Sequence, residues 1–205
     1  MPPFDHSDPE ARLRTHRGTQ LYMAHHPAIR GFLRGRNRPD EHGHKLWTAT
    51  LDLMAILEEH PARTVLEVGC GWGLLGVHMA RRRKAEVLCT DIDPRLEPIV
   101  RAMAELNAAP VRFAAVGFAE IPKPELAREL VVGCEVCYSE PVVEDLCRLA
   151  ERCAEAGTGE LLIADPGRPD FEDLQRFCVR RFGASLETRS STVGGKPLNL
   201  LRVRY

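Results

Sequence analysis

Val65-Leu66-Glu67-Val68-Gly69-Cys70-Gly71-Trp72-Gly73-Leu74-Leu75-Gly76 decides how the rest of the chain is read. A short apolar run carries one acidic residue, glycines follow at every second position, and a new apolar pattern starts at once. That is a strand feeding a tight turn feeding a helix. Glycine serves where the backbone takes positive φ or where a ligand must approach without a Cβ in the way. The helix that follows offers free N–H groups. The stretch therefore reads as a site for a nucleotide-like ligand.

The glycines alone leave the ligand open, because Gly71-x-Gly73-x-x-Gly76 also fits the fingerprint of nicotinamide and flavin enzymes. Two features lean away from a dinucleotide. Glu67 sits inside the strand end, where a carboxylate can accept hydrogen bonds from a cationic amino-acid ligand. The chain holds one such glycine turn and finishes in strand patterns, not helices.

Working outward, apolar residues recur with helical period from Leu46 to Leu57, and Pro61 stops the pattern. Thr64–Val68 is the first core strand, and a helix runs from about Leu74 to Arg83. Strand–helix alternation continues with strands at 86–90, 111–116, 130–134 and 159–164. Helices are expected from Pro94 to about 107, from 140 to about 156 and over 171–182. Residues 184–192 and 197–205 alternate like two strands joined across Gly194-Gly195. The sum is an α/β chain with a Rossmann-like, doubly wound sheet of seven strands, mostly parallel with an antiparallel C-terminal hairpin.

Ahead of this domain, placed at 46–205, residues 1–45 read as an N-terminal arm and lid segment. Residues 1–18 are rich in Pro, Asp, His and Arg and read as a loose arm. Residues 20–34 read as a helical segment interrupted by Pro27. His25-His26 and His42-x-His44 suggest a metal at first sight, but no cysteine or acidic partner stands at a ligand spacing. No metal is expected.

Composition sets outer limits. The 205 residues suit one domain with a real core, and 44% hydrophobic with 28% charged residues is ordinary for a globular chain. No apolar run approaches the roughly 20 residues of a membrane span. The N-terminus lacks a signal pattern, and seven scattered cysteines suit a reducing cytoplasm. Residues 1–45 carry eight Lys/Arg against five Asp/Glu, whereas residues 120–160 carry ten Asp/Glu against four Lys/Arg. No basic stripe for nucleic acid is present. The acidic block is either a solvated face or an attractor of basic substrate.

Residues 66–73 resemble the first motif of the seven-strand S-adenosylmethionine (SAM) dependent methyltransferases. The resemblance implies SAM as cofactor, with Glu67, Gly69, Gly71 and Gly73 in its site. Asp91, at the second strand's end and 18 residues past Gly73, is the ribose candidate; Asp93 reads as a helix cap before Pro94. Many relatives place an acidic residue and then an aromatic one at the third strand's end. Gly117 departs from that pattern, and Phe118 keeps the aromatic, either against the base or in the core. Trp72 either flanks the cofactor or packs under the helix.

Cys134-Glu135-Val136-Cys137-Tyr138 lies at the fourth strand's end, where open sheets bind ligands. It resembles the Asp-x-x-Tyr motif of seven-strand protein methyltransferases that modify lysine and in places histidine, with Glu135 where that motif has aspartate. Gly43-His44-Lys45-Leu46-Trp47 resembles the group's tryptophan-bearing lead-in helix, which adds Trp47 to the cofactor residues. Residues 162–168 resemble the fifth-strand end of the lysine methyltransferase acting on the electron-transfer flavoprotein β-subunit. By this resemblance Glu135 orients the substrate amine and Tyr138 closes the pocket. The alternative for Glu135 is a cap on the next helix, and Cys134 and Cys137 read as buried thiols. A protein substrate is expected, a small-molecule one remains open, and neither nucleic acid nor membrane is implied. A SAM-binding protein without catalysis is the reading from another class.

Overall fold

The computed structural model describes residues 13–35, 38–39, 42–43, 45–193 and 196–205. Most of the expected loose arm, residues 1–12, lies outside the described residues, as do His44 and the Gly194-Gly195 turn. Residues 13–18 correct the rest of that expectation. Leu13–His16 (β1) and Thr19–Tyr22 (β2) pair as an antiparallel hairpin. Arg17 and Gly18, at φ 48° and 72°, make its two-residue turn; two left-handed residues give a twist that matches the flanking strands.

The helix expected over 20–34 is likewise replaced. Thr19 and Leu21 alternate inward and are buried, so this segment obeys period two. Helix begins only at Pro27, the first residue of the four-residue α1 (Pro27–Arg30), capped by His26 Nδ1 accepting from Ala28 N–H. Pro27 opens a helix here and does not interrupt one. The hairpin is fastened to the domain behind it: Gln20 and Asn107 exchange two hydrogen bonds of 2.8 Å, and Arg81 donates to Gly18 O at 2.6 Å.

α2 (Thr48–Leu57) leads into β3 (Thr64–Val68), α3 (Leu74–Arg83) and β4 (Glu86–Asp91). A 3-10 turn over Pro94–Leu96, capped by Asp93 as expected, runs into α4 (Glu97–Leu106). β5 (Arg112–Ala115), a short α5 (Lys123–Leu126) and β6 (Leu130–Cys134) follow. α6 (Glu140–Ala156), β7 (Glu160–Asp165), α7 (Pro169–Phe182), β8 (Ser185–Arg189) and β9 (Leu198–Arg204) complete the chain.

The seven-stranded sheet has the order β5-β4-β3-β6-β7-β9-β8. Its first five strands are parallel, and β9 is antiparallel to both its neighbours. β9 therefore lies inside the sheet and β8 forms the edge. Leu198, Leu200, Leu201 and Val203 are buried on the two faces of β9, whereas every residue of β8 is exposed.

Alternation along β3 assigns the faces. Val65 packs into an apolar cluster with α2, α3 and α4, and Leu66 and Val68 pack into a second cluster with α6 and α7. Helices thus cover both faces, as a parallel sheet requires. Glu67 shares Val65's face and so points at α3. Among the described residues no helix is long and apolar enough to cross a membrane.

Candidate active site

A cavity of about 340 Å³ opens beyond the carboxyl ends of β3, β4 and β6. The order of the sheet puts it there, because β3 is flanked by β4 on one side and β6 on the other and the chain's path reverses between them. Gly71 lines it at φ 52°, with open space where a Cβ would stand. Its neighbour N–H groups belong to a turn that delivers the start of α3 to the cavity floor.

Glu67 forms that floor and is buried. Its Oε2 accepts from Gly76 N–H at 2.8 Å and from the Cys89 thiol at 3.4 Å. Burial raises its carboxyl to about 7, against these bonds, which favour the ionised form. A Cβ at Gly76 would lie 2.7 Å from Cys89 Sγ and 2.8 Å from Glu67 Oε2, so the last glycine of the motif makes room for the acid. Gly73 faces Val100, not the cavity; it serves helix packing.

Asp91 ends β4 at the cavity rim. Its carboxylate accepts from Gly71 N–H at 2.9 Å and from Asp93 N–H at 3.1 Å, and burial raises its pKa. Asp93 is held by Arg95 through two hydrogen bonds of 2.7 and 2.8 Å. Phe118 packs against the α6 side of the core and also lines the cavity beside Gly69.

The lead-in segment crosses the mouth. Trp72 is buried and donates its indole N–H to Gly43 O at 3.0 Å, while Trp47 donates to His42 O at 3.0 Å. His42 stacks on Tyr138 with ring centroids 4.4 Å apart. The two tryptophans thus tether the segment, and the stack joins it to the end of β6. Tyr138 remains 40% exposed, so its ring bridges cavity and solvent.

Glu135 takes φ 57°, a costly angle for a non-glycine residue, and turns its carboxylate back into the protein. Oε1 accepts from Ala49 N–H at 3.2 Å, in the first turn of α2, and Oε2 accepts from Arg168 at 2.7 Å. Arg168 also binds Asp165 at 2.6 Å, and Asp165 accepts the Gly167 and Arg168 amides at 2.9 and 2.8 Å. Arg168 lies 5.5 Å from the Trp47 ring centre. Glu135 does cap a helix, but it is the lead-in α2 and not the following α6. Cys134 and Cys137 are free thiols pushed up by burial.

The cavity therefore gathers Trp47, Glu67, Gly69, Gly71, Asp91, Phe118, Glu135 and Tyr138, and leaves out Gly73. Sequence reasoning missed Arg168, His42 and Arg152. Arg168 sat in plain view within 162–168, three residues after Asp165, an acid that burial forces to find a cation. Arg152 had no local signal; it reaches from α6 to the carbonyls of Phe118, Ala119 and Ile121. Among the described residues no three His, Cys, Asp or Glu side chains converge as a metal site would need.

The chain is 27% identical over 170 residues to the electron transfer flavoprotein beta subunit lysine methyltransferase of Danio rerio, covering 80% of this chain and 63% of that one. It is 31% identical over 108 residues to the Xenopus laevis protein of the same name, covering 52% and 43%. It thus spans less than two thirds of the length of either relative. A magnesium protoporphyrin IX methyltransferase from Synechocystis PCC 6803, solved with bound SAM, superposes with a TM-score of 0.58 at 17% identity, covering 86% of this chain and 89% of that one; this is likeness of fold. The profile of a family described as lysine methyltransferase matches residues 36–175, and the chain belongs to that family.

Proposed function

We propose that this chain binds SAM in the cavity and transfers its methyl group to a lysine side chain of a protein. One observation carries the reading: six carboxyl side chains, those of Glu67, Asp91, Asp93, Glu120, Glu135 and Asp145, line a cavity whose glycine turn leaves backbone open to a ligand at Gly71. A cationic cofactor fits such a lining. When bound, SAM supplies an activated methyl group on its sulfonium. Gly71 lets the ligand approach the backbone, Gly69 makes room for the Val136 and Phe118 side chains that border the cavity, Asp91 offers its remaining lone pairs to ribose hydroxyls, and Phe118 gives an apolar wall. Trp47 and the His42–Tyr138 stack shut out water above the reacting atoms.

The acceptor amine must be neutral to attack, and removal from water lowers a lysine's pKa. A bare carboxylate would oppose that. Arg168 offsets the charge of Glu135 while each carboxylate oxygen keeps a second lone pair for the amine, so Glu135 orients the nucleophile with less holding of its proton. Arg168 acts through Glu135 as a positioning residue. Seven free thiols suit a reducing cytoplasm.

Methyl-labelled SAM incubated with the purified protein and an extract from a strain lacking its gene tests the reading. Label in protease-sensitive material is expected. Label confined to small molecules would replace the protein substrate by a metabolite, and no label in either fraction would favour SAM binding without catalysis.

A further inference from the structure

Gly117 leaves a gap at the end of β5, and the chain fills it from three residues on. Glu120 N–H donates to Gly117 O at 3.2 Å, closing a turn. The Glu120 side chain then folds back across Gly117, so that a Cβ there would lie 2.7 Å from Glu120 Oε2. Ile92 Cδ1 stands 3.7 Å from the same point and is 74% exposed, an apolar side chain left uncovered at the cavity rim. Arg152 fixes the turn by donating to three backbone carbonyls of 118–121. Its guanidinium is spent on the backbone, and no hydrogen bond or ion pair of the Glu120 side chain occurs among the described residues.

A carboxylate at the edge of an apolar slot formed by Ile92 and Phe118 suits a flat heterocycle carrying an amino group. We propose that Glu120 is the residue that reads the exocyclic amine of the cofactor's purine, taking the place that Gly117 leaves empty. The inference rests on the SAM reading above. The amine donates to Oε2, the ring lies against Ile92, and a purine with an oxygen at that position meets carboxylate against carbonyl.

The test is calorimetric titration of the full chain with S-adenosylhomocysteine and with S-inosylhomocysteine, which differ in a 6-amino against a 6-oxo group and in the proton that the oxo form carries on N1. Wild type should prefer the adenosyl compound by about tenfold or more, as expected for one charged hydrogen bond gained and one repulsion avoided. E120A should bind S-adenosylhomocysteine roughly five- to tenfold more weakly and lose most of the preference. E120Q, which keeps an acceptor oxygen, should recover part of it. G117A supplies a second handle, because its methyl group would push the carboxylate aside. It should mimic E120A, and the double variant should bind no worse than E120A alone. An unchanged adenosyl affinity in E120A, or equal losses for both compounds, would overturn the inference while leaving the SAM reading intact. Failure of wild type to bind S-adenosylhomocysteine at all would overturn both.

Discussion

At the residue scale, Glu135 and Arg168 tie the β6 end of the cavity to α2 and to the loop after β7. The Glu135 side chain is 6% exposed and Asp165 is fully buried, with Arg168 between them. Arg168→Met leaves two buried carboxylates without their cation and should cost about 3 kcal/mol, toward the lower end of the usual range because Arg168 is a quarter exposed. Denaturant midpoints at constant slope would show it. The same substitution should raise the pH at which methyl transfer reaches half its maximum, because Glu135 then holds the acceptor ammonium unopposed; an unmoved profile would confine Arg168 to stability. In the proposed reaction Tyr138 works through its ring. Tyr138→Phe should keep near wild-type activity, and Tyr138→Ala should lower kcat/KM by about tenfold through loss of the stack on His42. Glu135 and Tyr138 were visible in the sequence through their resemblance to a motif. The engagement of Glu135 was not, since it depends on a left-handed φ and on a loop 33 residues away.

At the element scale, α3 carries two buried ionisable contacts of opposite pH behaviour. Glu67, at its N-terminus, has a carboxyl raised to about 7 by burial. The folded state therefore binds the extra proton, and Glu67's contribution is full below about pH 4.5 and falls as pH rises toward 7. His78 lies on the other side, fully buried, with Nδ1 2.8 Å from Thr19 Oγ1 and no partner for Nε2 among the described residues. Burial lowers it to about 4, so the unfolded chain binds the proton first. Its contribution is present above about 6.5 and is lost as pH falls toward 4. Between about pH 4.5 and 6.5 the two slopes oppose each other. His78→Asn, which can still meet Thr19, removes one of them. Stability of this variant should rise on going from pH 6.5 to 5, by roughly 1–2 kcal/mol relative to wild type, in urea titrations at the two pH values. Equal changes in both proteins would contradict the burial of a neutral histidine.

The orientation of Glu67 was legible in its spacing, because period two places it with Val65 on the α3 face. The β1–β2 hairpin was not. Arg17-Gly18 is a weak turn signal, and Leu21 taken with Ala24, Ala28 and Ile29 imitates a helical stripe.

At the scale of the whole molecule, most of the core strands and helices could be read directly, because a parallel sheet buried on both faces needs continuous apolar runs and each run here is bounded by glycine, proline or an acid. The place of β9 between β7 and β8 was not read, although composition held the signal. Leu198–Arg204 can be buried on both faces, and the Ser185–Arg189 segment with Glu187, Thr188 and Arg189 suits an exposed edge. A cavity built from four loops of one sheet should also couple ligand binding to global stability. S-adenosylhomocysteine at 100 times its Kd adds about 2.7 kcal/mol, which for a chain of this size should raise Tm by roughly 5–10 °C. NAD at the same concentration should leave Tm unchanged.

The most direct measurement is mass-spectrometric peptide mapping of extract proteins after incubation with trideuteriomethyl SAM and this protein. The heavy methyl group is expected on lysine side-chain nitrogen, and absent when Glu135→Ala replaces the wild-type chain. Heavy methyl on another side chain, or only on metabolites, would contradict it.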